Sequence, residues 1–129
     1  MDRVRFIEHR GQRVLLLDYS GLSDEREMLE MVENRTEIVS REPQASVLTL
    51  ADLTGAQLTK TVIQRVKEAN VLDHPFVRRA ALVGVDSAQP KGAVEAVGTF
   101  AAKHWGRFAT REEALEWLTE DSANTAQAG

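Results

Sequence analysis

The chain has no cysteine, only three prolines and few aromatic residues, 5% of the total. Without cysteine there are no disulfides and no thiol catalysis, and the commonest zinc ligands are missing. No apolar stretch approaches the ~20 residues that span a bilayer, so no membrane span is expected. The opening Met1-Asp2-Arg3-Val4-Arg5 lacks the apolar core of a secretory signal, which predicts a cytoplasmic location. Positive charge is not in excess either: the net charge is −4. A general polyanion binder is normally basic, so nucleic acid is not an expected partner. The G-x-G-x-x-G, Walker and G-x-S-x-G fingerprints are all missing, so dinucleotide, ATP and serine-hydrolase chemistry have no support. His9, His74 and His104 are scattered, with no metal-ligand spacing; no metal and no cofactor is expected.

What is present reads as a folded α/β domain. Hydrophobic residues make up 43% and charged residues 28% of 129 residues, which suits one domain with one core. That domain is expected over residues 1–121. The small polar stretch 122–129 is expected to be a disordered tail. Val4 to Glu8 alternates as a half-exposed edge strand, and Gly11-Gln12 turns the chain into a second strand, Arg13 to Asp18. Val14 to Leu17 is apolar on both faces, as in a strand covered by helices from both sides. Further strands are expected over Ser46–Ala51, over Ala80–Val85 and, as a short edge, around Gly106–Ala109.

Four helices fit between and after them. The first starts at Ser23 or Asp24, turns Leu29, Val32, Thr36 and Val39 inward with Met28 and Met31 beside them, and stops before Pro43. Thr59 caps the second, with Val62, Ile63, Val66 and Ala69 inward. The third covers 90–104 and places His104 on its inner stripe. Thr110 and Glu113 form the capping box of the fourth, which carries Ala114, Leu115 and Leu118. The predicted order is β-β-α-β-α-β-α-β-α: an α/β fold with a mostly parallel, mixed sheet. Arg78-Arg79 reads as solvated charge ahead of the fourth strand.

In an open parallel sheet, ligands gather outside the carboxyl ends of the strands. Three such ends release an acid and a hydroxyl: Asp18 with Ser20, Asp52 with Thr54, and Asp86 with Ser87. Two of them are near repeats, Asp18-Tyr19-Ser20-Gly21 and Asp52-Leu53-Thr54-Gly55. One reading is a site on the rim, where helix N-termini would favour an anion. The other is turn chemistry, in which Asp, Ser and Thr bind their own backbone and cap helices. Asp18 and Asp52 could also hold magnesium for a phospho-receiver or an enzyme, although the second adjacent acid and rim lysine of such sites are not evident.

The strings Leu17-Asp-Tyr-Ser-Gly-Leu-Ser23, Val47-Leu-Thr-Leu-Ala-Asp-Leu-Thr-Gly55 and Thr110-Arg-Glu-Glu-Ala-Leu-Glu-Trp-Leu118 give the chain a family look. Over roughly residues 4–120 it resembles a STAS domain, closest to the SpoIIAA-like branch, also labelled STAS/SEC14-domain proteins. The resemblance implies a non-enzymatic regulatory domain like the anti-sigma factor antagonists, in which this strand exits into Asp-Ser-Ser-Gly and the second serine is phosphorylated. Asp52 then matches the Asp, Thr54 the phosphorylated serine and Gly55 the glycine; Leu53 stands where the pattern has a small polar residue. A protein partner is implied. The SEC14 side of the name implies instead a carrier of a small apolar or lipid ligand, held beside the sheet or across a homodimer.

Overall fold

The computed structural model describes residues 3–85 and 104–120. Strands β1 (Val4–His9) and β2 (Gln12–Asp18) form an antiparallel hairpin, and β3 (Val47–Asp52), β4 (Val77–Val83) and β5 (His104–Phe108) add to it in parallel. The sheet order is simply β1-β2-β3-β4-β5. Helix α1 (Glu25–Val39) joins β2 to β3, α2 (Lys60–Asp73) joins β3 to β4, and α3 (Arg111–Leu118) follows β5. The fold is therefore α/β with a five-stranded mixed sheet. The helix expected over 90–104 and the exit at Asp86 and Ser87 lie outside the described residues, as does the tail from 122.

Alternation along the strands divides the core in two. Leu15, Leu17, Val47, Ala51, Ala80 and Leu82 face the layer made by α1 and α2. Val14, Leu16, Leu48, Leu50, Ala81 and Val83 face Ala114 and Leu118 of α3. This is why the central strands read as unbroken apolar runs: both faces are covered. Each such Leu or Val contributes roughly 1.5–3 kcal/mol by leaving water.

Asp24, not Ser23, caps α1, its carboxylate accepting from the Glu27 N–H at 3.2 Å. Thr59 and Thr110 cap α2 and α3 as expected. The hairpin turns one residue earlier than expected, at Arg10 and Gly11, both with positive φ (52° and 76°). That is the mirror-image geometry that matches strand twist in two-residue hairpins.

Three expectations are corrected. The inward face of α1 is rotated: Met28, Met31, Val32, Arg35 and Val39 are buried, while Leu29 and Thr36 are only half-buried. Arg35 can belong to that face because its charge is matched inside the protein. His104 opens β5 and does not belong to an inner helical stripe. Strand β4 starts at Val77 and so includes Arg78 and Arg79. Its register against β3 slips between Val47 and Leu48, so Arg78 is an extra, bulged residue. The bulge lets Val77 and Ala80, three residues apart, face the same core layer. It also puts Arg79 on the α3 side. There the guanidinium donates to the Trp117 carbonyl at 2.8 Å and lies 5.4 Å from the Trp117 ring centroid. A cation on the last carbonyls of a helix is favourable, so Arg79 is a structural residue and not solvated charge.

No helix among the described residues is long and apolar enough to cross a membrane.

Candidate functional site

The two repeated exits lie side by side. Asp18 and Asp52 are register partners at the ends of β2 and β3. Beyond them the backbones stay bonded: Tyr19 N–H donates to the Asp52 carbonyl at 3.0 Å and Gly21 N–H to the Thr54 carbonyl at 2.8 Å. Each exit folds into the same short motif. Asp18 Oδ1 accepts from Ser20 N–H (3.1 Å) and from Ser20 Oγ (2.5 Å). Asp52 Oδ1 accepts from Thr54 N–H (3.0 Å) and from Thr54 Oγ1 (2.6 Å). The glycines that close them, Gly21 and Gly55, have φ of 68° and 69°. Two copies of D-x-[ST]-G thus give two copies of one Asx turn. The turn chemistry is present at both exits, and both lie at the carboxyl ends of their strands.

Gly84, at the end of β4, completes the edge. Its φ is 76°, and a Cβ there would fall 2.6 Å from the Thr54 nitrogen and 2.7 Å from its Cα. Only glycine lets the third exit pass this close to Thr54.

One cation joins the two acids. Arg111, the first residue of α3, donates from Nε to Asp52 Oδ2 at 2.6 Å, and its Nη2 lies 3.1 Å from Asp18 Oδ1. Arg3 braces the outer exit, donating to the Asp18 and Ser20 carbonyls, both at 3.0 Å. Two carboxylates and two guanidiniums balance. Partial burial pushes the Asp18 carboxyl up, but the bonds from Ser20 and the charges of Arg111 and Arg3 outweigh it and hold it below its ordinary 3.8. Burial likewise works against the Arg111 charge, and the bonds and charges of Asp52 and Asp18 reverse that, raising it above its ordinary value.

Sequence reasoning missed Arg111. A signal existed: an arginine at the first position of a helix opposes the macrodipole and needs an acid to justify it. With Arg111 in place, Asp52 is buried and its oxygens are occupied. Among the described residues no cluster of three or more His, Cys, Asp or Glu could hold a metal ion. Of the rim residues, Thr54 and Gly55 are exposed, Ser20 and Asp18 half-buried and Asp52 buried.

No protein-family model and no curated protein matches this chain.

The second polar cluster lies inside, between α1 and α2. Arg35 Nε is 2.9 Å from Asp73 Oδ2, and the two side chains are 7% and 4% exposed. Arg35 Nη2 donates to Asn70 Oδ1 at 2.7 Å, and Thr36 Oγ1 reaches Asp73 at 3.4 Å. Burial raises the Asp73 carboxyl, and the opposing Arg35 charge only partly offsets it. Asn70 and Asp73 continue the Val62, Val66, Ala69 stripe of α2, and that polar tail on an apolar stripe was the available clue.

Proposed function

We propose that this chain is a non-enzymatic, STAS-like regulatory or binding domain that meets a protein partner at the rim formed by Ser20, Asp52, Thr54 and Gly55. Thr54 is the switch: its phosphorylation changes the contact. The observation that carries this reading is the contrast within one motif. Thr54 is exposed, while the acid beside it is buried and tied to Arg111. A carboxylate with its oxygens occupied is poorly placed to act as a nucleophile, a base or a magnesium ligand. An exposed hydroxyl on a rigid turn is well placed to be read or modified. The resemblance of Asp52, Thr54 and Gly55 to the regulatory exit of anti-sigma factor antagonists supports the same residue. A phosphate on Thr54 would add about −1.5 to −2 charge beside Asp52 and compete for Arg111.

Mass spectrometry of the native protein, with affinity capture using wild type, Thr54→Val and Thr54→Glu, tests this. Phosphate on Thr54 is expected, together with a partner held by wild type and Thr54→Val and lost or exchanged with Thr54→Glu. An unmodified Thr54 and identical partners for all three proteins would end the switch reading.

A second reading, a carrier of a small apolar molecule, is favoured by one feature. Val71 and Leu72 are 59% and 64% exposed, and Leu72 lines a groove of about 220 Å³ between α1 and α2 with Val32 and Ala69, beside the charged Glu33, Arg65 and Glu68. Native mass spectrometry of freshly purified protein decides it: bound mass supports a carrier, and bare chain mass counts against one.

A further inference from the structure

The middle residues of the two exits turn inward. Tyr19 and Leu53 line one small cavity of about 20 Å³, together with Leu17, Leu58, Val66 and Arg35. The walls are apolar except at two points. Tyr19 is 4% exposed and Arg35 6% exposed, and both are hydrogen-bonding side chains. The Tyr19 hydroxyl is buried without a hydrogen-bond partner among the described residues, and so is Arg35 Nε. Arg35 Nε does lie close to Asp73, but its N–H is not aligned to donate to that carboxylate. Leaving such groups unpaired forfeits the bonds they made to water, so native interiors rarely do it.

Both groups can donate, so the cavity calls for an acceptor. Its size restricts the choice, because one water needs about 10–15 Å³ of such space and an organic ligand needs far more. Charge restricts it further. Asp73 already neutralises Arg35, so an anion would enter a site with no net positive charge to hold it. A neutral acceptor of atomic size remains.

We propose that this cavity is a binding site for a single internal water that accepts from the Tyr19 hydroxyl and Arg35 Nε. The water ties the β2 exit to α1 and completes the polar cluster of Arg35, Asn70 and Asp73. It is independent of the reading of Thr54.

A crystal structure at a resolution that shows other buried waters tests the site, together with urea unfolding of Tyr19→Phe. One ordered water within hydrogen-bond distance of both groups is expected. Removing the hydroxyl should lower the folding equilibrium constant about fivefold, the value of one satisfied buried bond. Two results would overturn the proposal. One is a cavity without water density in the wild type, which does not depend on the variant folding. The other is a Tyr19→Phe protein as stable as wild type or more so, since deleting an unpaired hydroxyl relieves a penalty.

Discussion

Two arginine–carboxylate sites sit one layer apart and behave in opposite ways. At the rim, Arg111 faces Asp18 and Asp52, with 37% of its side chain exposed. Inside, Arg35 faces Asp73 with almost none of either side chain exposed. The contact distances are similar. Yet Asp18 is held below its ordinary value and Asp73 is pushed above it. The difference lies in the other bonds. Asp18 accepts two bonds from Ser20 and is drawn on by two guanidiniums, which together outweigh its loss of water, whereas Asp73 is more deeply buried and gains only a long contact from Thr36 besides Arg35. Charge pairing alone does not decide the sign of a shift; the balance of desolvation against hydrogen bonds does.

The largest break in this comparison comes from inside. Arg35→Ala leaves the buried Asp73 carboxyl without its partner, and should cost about 3–5 kcal/mol in urea unfolding. The double substitution Arg35→Met with Asp73→Leu should recover most of that loss, because it removes the buried charges together. If the single and double variants are equally destabilised, packing and not charge governs the cluster.

The next effect concerns the backbone that makes the rim rigid. Gly21→Ala strains a positive φ with nothing in the way of the new methyl, and should cost about 1 kcal/mol. Gly84→Ala meets the same strain and also collides with the Thr54 backbone, which should add about 1–3 kcal/mol. Thermal unfolding of the pair separates collision from strain. Equal losses would mean that Thr54 moves aside easily.

The smallest effect is expected at Arg111. Because Arg111 is itself 37% exposed and the buried Asp52 keeps both bonds from Thr54, Arg111→Ala should cost about 1 kcal/mol. Its signature is in titration. Asp18 has a depressed folded value, so its contribution to stability is present above its unfolded value near 3.8 and is lost as pH falls through the folded one. Removing Arg111 should raise the Asp18 midpoint and shrink that acid-sensitive contribution, which carboxyl NMR can follow. Asp73 runs the other way. Its raised folded value favours the protonated form, so its contribution is present below about 4 and is lost as pH climbs through the folded value.

Much of the fold was legible because its causes are local. Val14 to Leu17 and the apolar half of β4 announced strands buried on both faces, and Thr59 and Thr110 announced their helices. The paired exits were also legible, since a repeated D-x-[ST]-G is a repeated turn. Arg35 and Arg79 were not. A charged residue is assigned to the surface until its partner is known, and Asp73 and the Trp117 carbonyl lie 38 residues away in each case. Arg111 stayed hidden for the same reason: its acids are brought together only when β2 and β3 pair.

The bulge at Arg78 has a consequence for change in chain length. Most strand residues cannot be lost singly, because deletion exchanges every side chain beyond that point between the two faces of the sheet. Here the strand carries one residue more than its partner needs. Removing either Arg78 or Arg79 leaves a regular alternation, Val77 and Ala80 still facing α1 and α2, with an arginine still placed over Trp117. The fourth strand can therefore shorten by one residue without inverting its core.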